Sequence, residues 1–449
     1  MNNHKEKVLL KKILNNDSID FLSDEINKIH PGEISEIIEQ LPENKRGGLW
    51  NIIHPKLKGE ILLEVHDEVR KQLISITNEE DLIDTISGLQ LDEIADLDEN
   101  LPENVVEAVI QQMDLQKRQG YESIKSYPNN TAGGLMDLDY IAIRADVTIN
   151  VALRYIKYIR NKYNVLPEHF DSIYVINTDD DFIGTVSLSE LISLPSNIIL
   201  KNIINKSSIT VTDMTSAKKV AKVFEDHDLI SIPVLSDKNK LLGRITIDDI
   251  VDVIREEGEK LAMRPFGLSE KIDMFGSITK TIRYRILWSG LNLINAFLAA
   301  FVISLFSDSI DKIVSLAILM PVIATMGGVV GNQSLTLVTR GIALDQITKE
   351  NKFILFKREL FIGFLNGLIW AIIVLLVSYL WIGNLLLSII FGLSLLLSLM
   401  LNATAGTLIP LILTKLKIDP ALAGSVILVA ISDGAGFFIF LSISTIILF

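Results

Sequence analysis

Asp433 is the one acid or base that stands away from the ends of the long apolar runs filling residues 286–448. A charge in lipid is costly and usually faces a partner or a water-filled path. The runs hold no Lys, Arg or His as a partner, and Gly434, Ala435 and Gly436 would let a second backbone or a hydrated ion come close. One carboxylate is a thin site for a divalent ion, but two copies about a two-fold axis would supply two. Magnesium sheds water reluctantly, so such a pair would hold it mainly through its hydration shell. The competing reading is a neutral Asp433 that holds two helices together. A proton relay or an anion path would need further intramembrane charges, and there are none.

The second apolar run carries Met320-Pro321 and then Gly327-Gly328-Val329-Val330-Gly331-Asn332-Gln333-Ser334. Pro and Gly loosen a membrane helix and expose carbonyls, which is tolerable where they line a cavity. Small residues also serve plain helix packing. Asn332 and Gln333 tilt the reading towards a polar lumen lined by Gly327, Gly328, Gly331, Asn332 and Asp433. Cysteine is absent, and all six histidines precede the apolar half. Only oxygen and neutral amide ligands remain there, which suits magnesium, calcium or manganese and not zinc or copper.

A second group of acids lies in the polar half. Residues 1–275 hold 31 Lys/Arg and 48 Asp/Glu, a net −17, while residues 276–449 carry +4. That balance disfavours nucleic acid as a partner and suits cations. Asp92 and Asp96 fall at i and i+4 on one helical face, beside Glu93, Asp98 and Glu99. Asp249 and Asp252 fall at i and i+3, with Glu256 and Glu257 beyond, and Asp228 precedes a strand. Like charges on facing domains repel until divalent ions bridge them, so domain closure would report magnesium. For any one of these acids a solvated helix face is the plain alternative.

Positioning these groups takes several kinds of element. Residues 1–130 show a repeat of 24 positions at His30-Pro31, His54-Pro55, Asn78-Glu79 and Pro102-Glu103, each followed by a helical apolar pattern. Leu41-Pro42-Glu43-Asn44 and Leu101-Pro102-Glu103-Asn104 are near copies. Short helix pairs of this kind stack as a superhelix, with a simple bundle as the alternative. Residues 131–250 repeat a strand–turn–strand unit 59 positions apart, at Ile173-Tyr174-Val175-Ile176 and Ile232-Pro233-Val234-Leu235. They resemble a tandem pair of CBS modules, which implies two β-α-β-β-α units face to face. Asp179–Asp181 reads as a solvated hairpin turn, not a metal site. Thr246-x-x-Asp249 occupies the ribose-contacting position of the CBS pattern, so ATP or another adenine nucleotide is a candidate ligand. Residues 251–284 read as one polar connecting helix. Five spans follow at about 286–306, 313–339, 360–382, 385–414 and 420–448, each long enough to cross a membrane. Basic residues from Arg283 to Lys417 flank alternate connections, with Lys312 alone opposite. This places the amino terminus in the cytosol and the carboxyl terminus outside. The polar, charged start shows no cleavable signal peptide. The fold class expected is therefore an all-α superhelical N domain, an α+β CBS pair and, over 285–449, an α-helical membrane domain.

Taken in order, Pro321 through Arg340, Asn402-x-x-x-Gly406-x-x-x-Pro410, and Asp419-Pro420-Ala421-Leu422-Ala423 followed by Asp433-x-x-Gly436 resemble the MgtE family of magnesium channels. Tyr127-Pro128 with Thr131-Ala132-Gly133-Gly134-Leu135-Met136 matches the family's junction before the CBS pair. The resemblance covers nearly the whole chain. It implies a homodimer in the cytoplasmic membrane of a prokaryote, with the pore between protomers and Asp433 as the selectivity acid. It implies too that magnesium closes the gate from the cytosol, on Asp92, Asp96, Asp228, Asp249, Asp252 and Glu257, with Asp419 meeting the connecting helix. The chain departs from the family at Val329-Val330, at Val426, Val429 and Ala430, and at Gly258 and Lys260. Those changes bear on selectivity among magnesium, manganese and cobalt and on one sensing site. A non-conducting membrane sensor is the rival class, and it has no need of Asp433 beside a Gly-rich span. No nucleophile–base arrangement or phosphate-binding Gly-rich loop points to an enzyme.

Overall fold

The computed structural model describes residues 3–15, 22–164, 166–167, 169–264, 268, 274–275 and 278–448. They divide into two compact units, residues 1–258 with 271–276 and residues 259–270 with 277–449.

In the first unit, the 24-residue repeat is a repeat of helix starts. His30, His54, Asn78 and Pro102 are the N-cap residues of helices Pro31–Glu39, Pro55–Glu64, Glu79–Ile86 and Glu103–Gln112. The two His rings accept from the backbone N–H of Gly32 and Lys56, and the Pro that follows each loses only an N–H that would go unused. These helices stack on one another through Ile34, Ile38, Ile61, Leu62 and Ile86, all fully buried. Helices Glu43–Ile52 and Asp67–Ile76 form the alternate layer. Arg46 and Arg70, themselves 24 positions apart, reach back to close the preceding turn. Arg46 Nε donates to the carbonyls of Ile38 and Leu41, and Arg70 to those of Leu62, Leu63 and Val65.

Two three-stranded sheets follow. β1 (Ala142–Arg144) runs parallel to β2 (Ser172–Ile176), which pairs antiparallel with β3 (Phe182–Ser187). β4 (Val211–Thr212), β5 (Ser231–Leu235) and β6 (Leu241–Thr246) repeat the order, with a register irregularity at the same place in each hairpin. The acidic turn at Asp179–Asp181 joins the two copies. Asp181 pairs with Lys240 at 2.9 Å, and Lys240 also donates to the Asp179 carbonyl. Asn239 and Phe182 exchange two bonds of 2.9 and 3.0 Å. Behind them a buried Arg244 holds Asp137 at 3.1 Å. The junction glycines are needed for space: a Cβ on Gly133 would lie 2.5 Å from the Tyr127 ring and one on Gly134 2.6 Å from the Pro128 carbonyl.

The last CBS helix runs Ile247–Met263, and the next helix starts at Ile278. Residues 265–267, 269–273 and 276–277 of the expected connecting helix lie outside the described residues, and Met274-Phe275 form a turn. Among the described residues the single helix expected over 251–284 is interrupted, at Leu268 and at Met274-Phe275.

In the second unit, among the described residues five helices are long and apolar enough to cross a membrane. They are Ile278–Ser304, Ser315–Ala343, Lys352–Ile382, Leu385–Lys415 and Pro420–Leu448. The fourth is the axis of the bundle. Its Leu387, Phe391, Leu395, Leu399 and Asn402 are fully buried against neighbours. A Cβ on Gly406 would sit 2.3 Å from the Gly331 carbonyl, so the second and fourth spans touch backbone to backbone there.

Candidate functional site: an acidic seam and a membrane cleft

Asp92 lies in the first turn of the helix Leu91–Asp98 and is 8% exposed, with its Oδ1 buried and, among the described residues, without a hydrogen-bond partner. Burial first, and then the charges of Asp137, Asp249 and Glu93, push its carboxyl well above the usual range. Asp249, on the CBS helix, is raised to about 8 by burial, Asp248, Asp96 and Asp137. Asp96 is raised to about 6 by the protein around it, against the pull of Arg70, although its side chain keeps an open path to solvent. Asp252 is raised as well, chiefly by burial, and pairs with Arg255 at 3.2 Å. Three of the acids named from the sequence are thus linked, Asp249 acting with Asp92 and with Asp96 where the helical repeats meet the CBS pair, while Asp252 joins the same seam through Asp248 and Glu256. Arg70 and Arg255 offset them in part.

Three others sit apart. Asp228 is the exposed, left-handed C-cap residue of helix Ala217–His227, at φ 50°. Glu257 lies two turns beyond Asp249 on the same helix. Asp419 is already engaged on both oxygens. Oδ1 accepts from the Ala421 N–H at the start of the last span, and Oδ2 from Arg264 at 2.6 Å. Among the described residues, no three His, Asp or Glu side chains converge closely enough to hold a metal by themselves. Thr246 Oγ1 donates to Asp248, with Asp249 at 3.4 Å, so the nucleotide candidates are bonded to each other.

In the second unit a cleft of about 940 Å³ runs along one face of the second span, with Asp433 of the last span at its wall. Gly328, Asn332, Gln333, Thr325, Thr336 and Arg340 line it. Asp433 is half-buried, and no side-chain partner holds it among the described residues. Gly434 beside it has open space where a side chain would be. The expectation that Gly327 and Gly331 line this path is corrected. Both are buried against neighbouring spans, where a Cβ would meet Asn402 and Ser432 at 2.6 and 2.9 Å, or Leu428 at 2.9 Å. Gly327 is turned about 100° from Gly328, and Gly331 about 100° from Asn332, so the Gly-rich run serves the lumen and the packing at once.

Sequence reasoning passed over several members. Thr336 and Arg340 follow Asn332 at i+4 and i+8, a spacing that was open to inspection. Glu359 follows Lys357 and Arg358 in the sequence and would read as one more flanking charge. It is instead buried at 4% exposure and accepts from Ser334 at 2.8 Å.

The family description "divalent cation transporter", MgtE, matches residues 320–443, and the MgtE intracellular N domain matches residues 29–130, together half of the chain. The chain belongs to the MgtE family. A CBS domain matches residues 200–256. The chain is 26% identical to the magnesium transporter MgtE of Bacillus subtilis, over 94% of this chain and 92% of that one. It is 25% identical to the magnesium transporter MgtE of Thermus thermophilus, over 98% of each. Among solved structures, the cytosolic domain of the Mg2+ channel MgtE in complex with ATP is 24% identical, covers 55% of this chain and 99% of its own, and has a TM-score of 0.48. With five apolar helices, this member of a transporter family is a multi-pass membrane protein.

Proposed function

We propose that this chain conducts magnesium inwards across the cytoplasmic membrane of a prokaryote, through a path made where two copies of the cleft face each other. The observation that carries the reading is Asp433, a carboxylate with no side-chain partner among the described residues, on a cleft wall where the amides of Asn332 and Gln333 and the hydroxyls of Thr325 and Thr336 stand among apolar side chains. Two such walls would bring two Asp433 carboxylates together, −2 at that level of the path, beside the amides of Asn332 and Gln333, which holds a hydrated divalent ion without stripping it. The names of relatives matching over nearly the full length support magnesium as cargo. Manganese and cobalt remain variants of the same reading, because oxygen ligands separate these ions poorly. The basic flanks put the amino terminus in the cytosol and the carboxyl terminus outside.

The acidic seam is the proposed gate sensor. Its carboxylates are held together against their own repulsion, so a divalent ion supplied by the cytosol stabilises the docked arrangement and closes the path. Asp92, Asp96, Asp249 and Asp252 carry this role. Asp228 and Glu257 are assigned to it more loosely, since each sits apart. Asp419, assigned to the same metal-binding set, meets the end of the connecting helix through its ion pair with Arg264, which a bound ion would have to displace. ATP at the CBS pair would require Thr246 and Asp249 to exchange their mutual contact for the ribose. Magnesium uptake by cells expressing Asp433→Ala tests the central claim. Uptake at the wild-type rate with matched expression would refute it.

A further inference from the structure

Arg340 lines the same cleft as Asp433. It is exposed, one turn from the end of helix Ser315–Ala343, and among the described residues its guanidinium makes no ion pair or side-chain hydrogen bond. Ser432, beside Asp433, faces Gly327 and Gly328, so the carboxylate lies level with Gly328. Arg340 is twelve residues further along, about 18 Å at the α-helical rise. Between them the lining is neutral: Asn332, Gln333 and Thr336. The charge order along this wall is carboxylate, amides and hydroxyl, guanidinium.

We infer that Arg340 determines the direction in which cations pass most readily. This rests on the reading of the cleft as the ion path. Arginine is permanently charged, and a charge at a narrow, low-dielectric mouth depletes ions of its own sign there. At the cytosolic end, two copies of Arg340 lower the local concentration of cations that would enter from inside. Midway along its span, Asp433 concentrates the cations that enter from outside without passing Arg340. The pair therefore biases flow inwards without any moving part. The bland account treats Arg340 as a flank that orients the helix and reaches for headgroups, and it leaves open-path conductance untouched.

Single-channel currents of the full chain in planar bilayers, with Mg2+ as the charge carrier, separate these accounts, because the amplitude of an open event does not depend on how often it opens. At low ionic strength the wild type is expected to pass more current inwards than outwards at equal and opposite voltages. Arg340→Gln should raise the outward limb on the order of tenfold and bring the two limbs together. Arg340→Lys should keep the wild-type asymmetry. An impermeant salt near 1 M, where the Debye length is about 3 Å, should erase the asymmetry in the wild type. The inference is overturned by Arg340→Gln with unchanged asymmetry, by Arg340→Lys matching Arg340→Gln, or by symmetric wild-type currents at low salt. If Arg340→Gln does not insert, the salt dependence of the wild type decides. Loss of current in Asp433→Asn with asymmetry indifferent to Arg340 would sink this inference alone, whereas indifference to Asp433 would sink the ion path beneath it.

Discussion

The seam around Asp92, Asp96 and Asp249 gathers carboxylates until burial and mutual repulsion lift all of them, whereas the cleft holds a single carboxylate, with its one guanidinium, Arg340, about 18 Å further along the wall. Both regions suit a hard divalent ion, and they suit it differently. A sensor needs two states that differ strongly in affinity, so it profits from charges that are costly to bring together until an ion arrives. A conducting path needs binding strong enough to enter and weak enough to leave. The number of carboxylates per site is what divides the two tasks.

The contrast breaks first at Asp433. Asp433→Asn should reduce magnesium flux into proteoliposomes by at least about tenfold, while the same change at Asp249 should leave flux at low magnesium near wild type. Equal losses in the two variants would mean that the regions do not divide the work.

Acid sharpens it next. Asp249 is raised to about 8 and Asp96 to about 6 in the folded unit, so that unit binds more protons than the unfolded chain. Its stability should therefore rise as pH falls through about 8 and about 6, and the gain should be complete near 4, the ordinary carboxylate value. The rise should be on the order of 2 kcal/mol, less than the raised values alone suggest, because Asp96 and Asp252 reach solvent. Urea unfolding of residues 1–275 at pH 8, 6 and 4.5 checks the sign. Asp249→Asn should flatten the upper part of the curve.

Inside the membrane half, Glu359→Ala leaves the Ser334 hydroxyl without its acceptor in a buried site. It should lower thermal stability in detergent by an amount corresponding to about 1–3 kcal/mol. Glu359→Gln keeps an acceptor oxygen and should recover most of it. Smallest of all is Lys240→Ala at the hairpin tie. This exposed pair should cost no more than about 1 kcal/mol by urea unfolding.

Much of this was legible in residue order. The 24-residue period is a period of N-caps, and caps are written locally in His-Pro, Asn-Glu and Pro-Glu pairs. The CBS repeat shows because two hairpins with the same irregularity need the same residue types. The five spans follow from apolar length alone. What stayed hidden depends on rotation and on distant partners. Gly327 and Gly328 are adjacent letters turned about 100° from each other on one helix, so a Gly-rich motif cannot say which of them meets the lumen. Glu359 was masked by the basic residues next to it, and its partner Ser334 is 25 residues away. Arg264 and Asp419 are 155 residues apart, and nothing near either one announces the other.

That last pair has a consequence for information flow. A guanidinium held on the same chain competes for Asp419 at a millimolar effective concentration set by geometry, and it never dilutes. A dissolved ion must displace it, and also outbid a backbone N–H that already holds the other oxygen. This corner is therefore less responsive to dissolved ions than a free carboxylate would be, although salt still screens a pair this exposed. It ties the position of Arg264 to the first turn of the helix that carries Asp433.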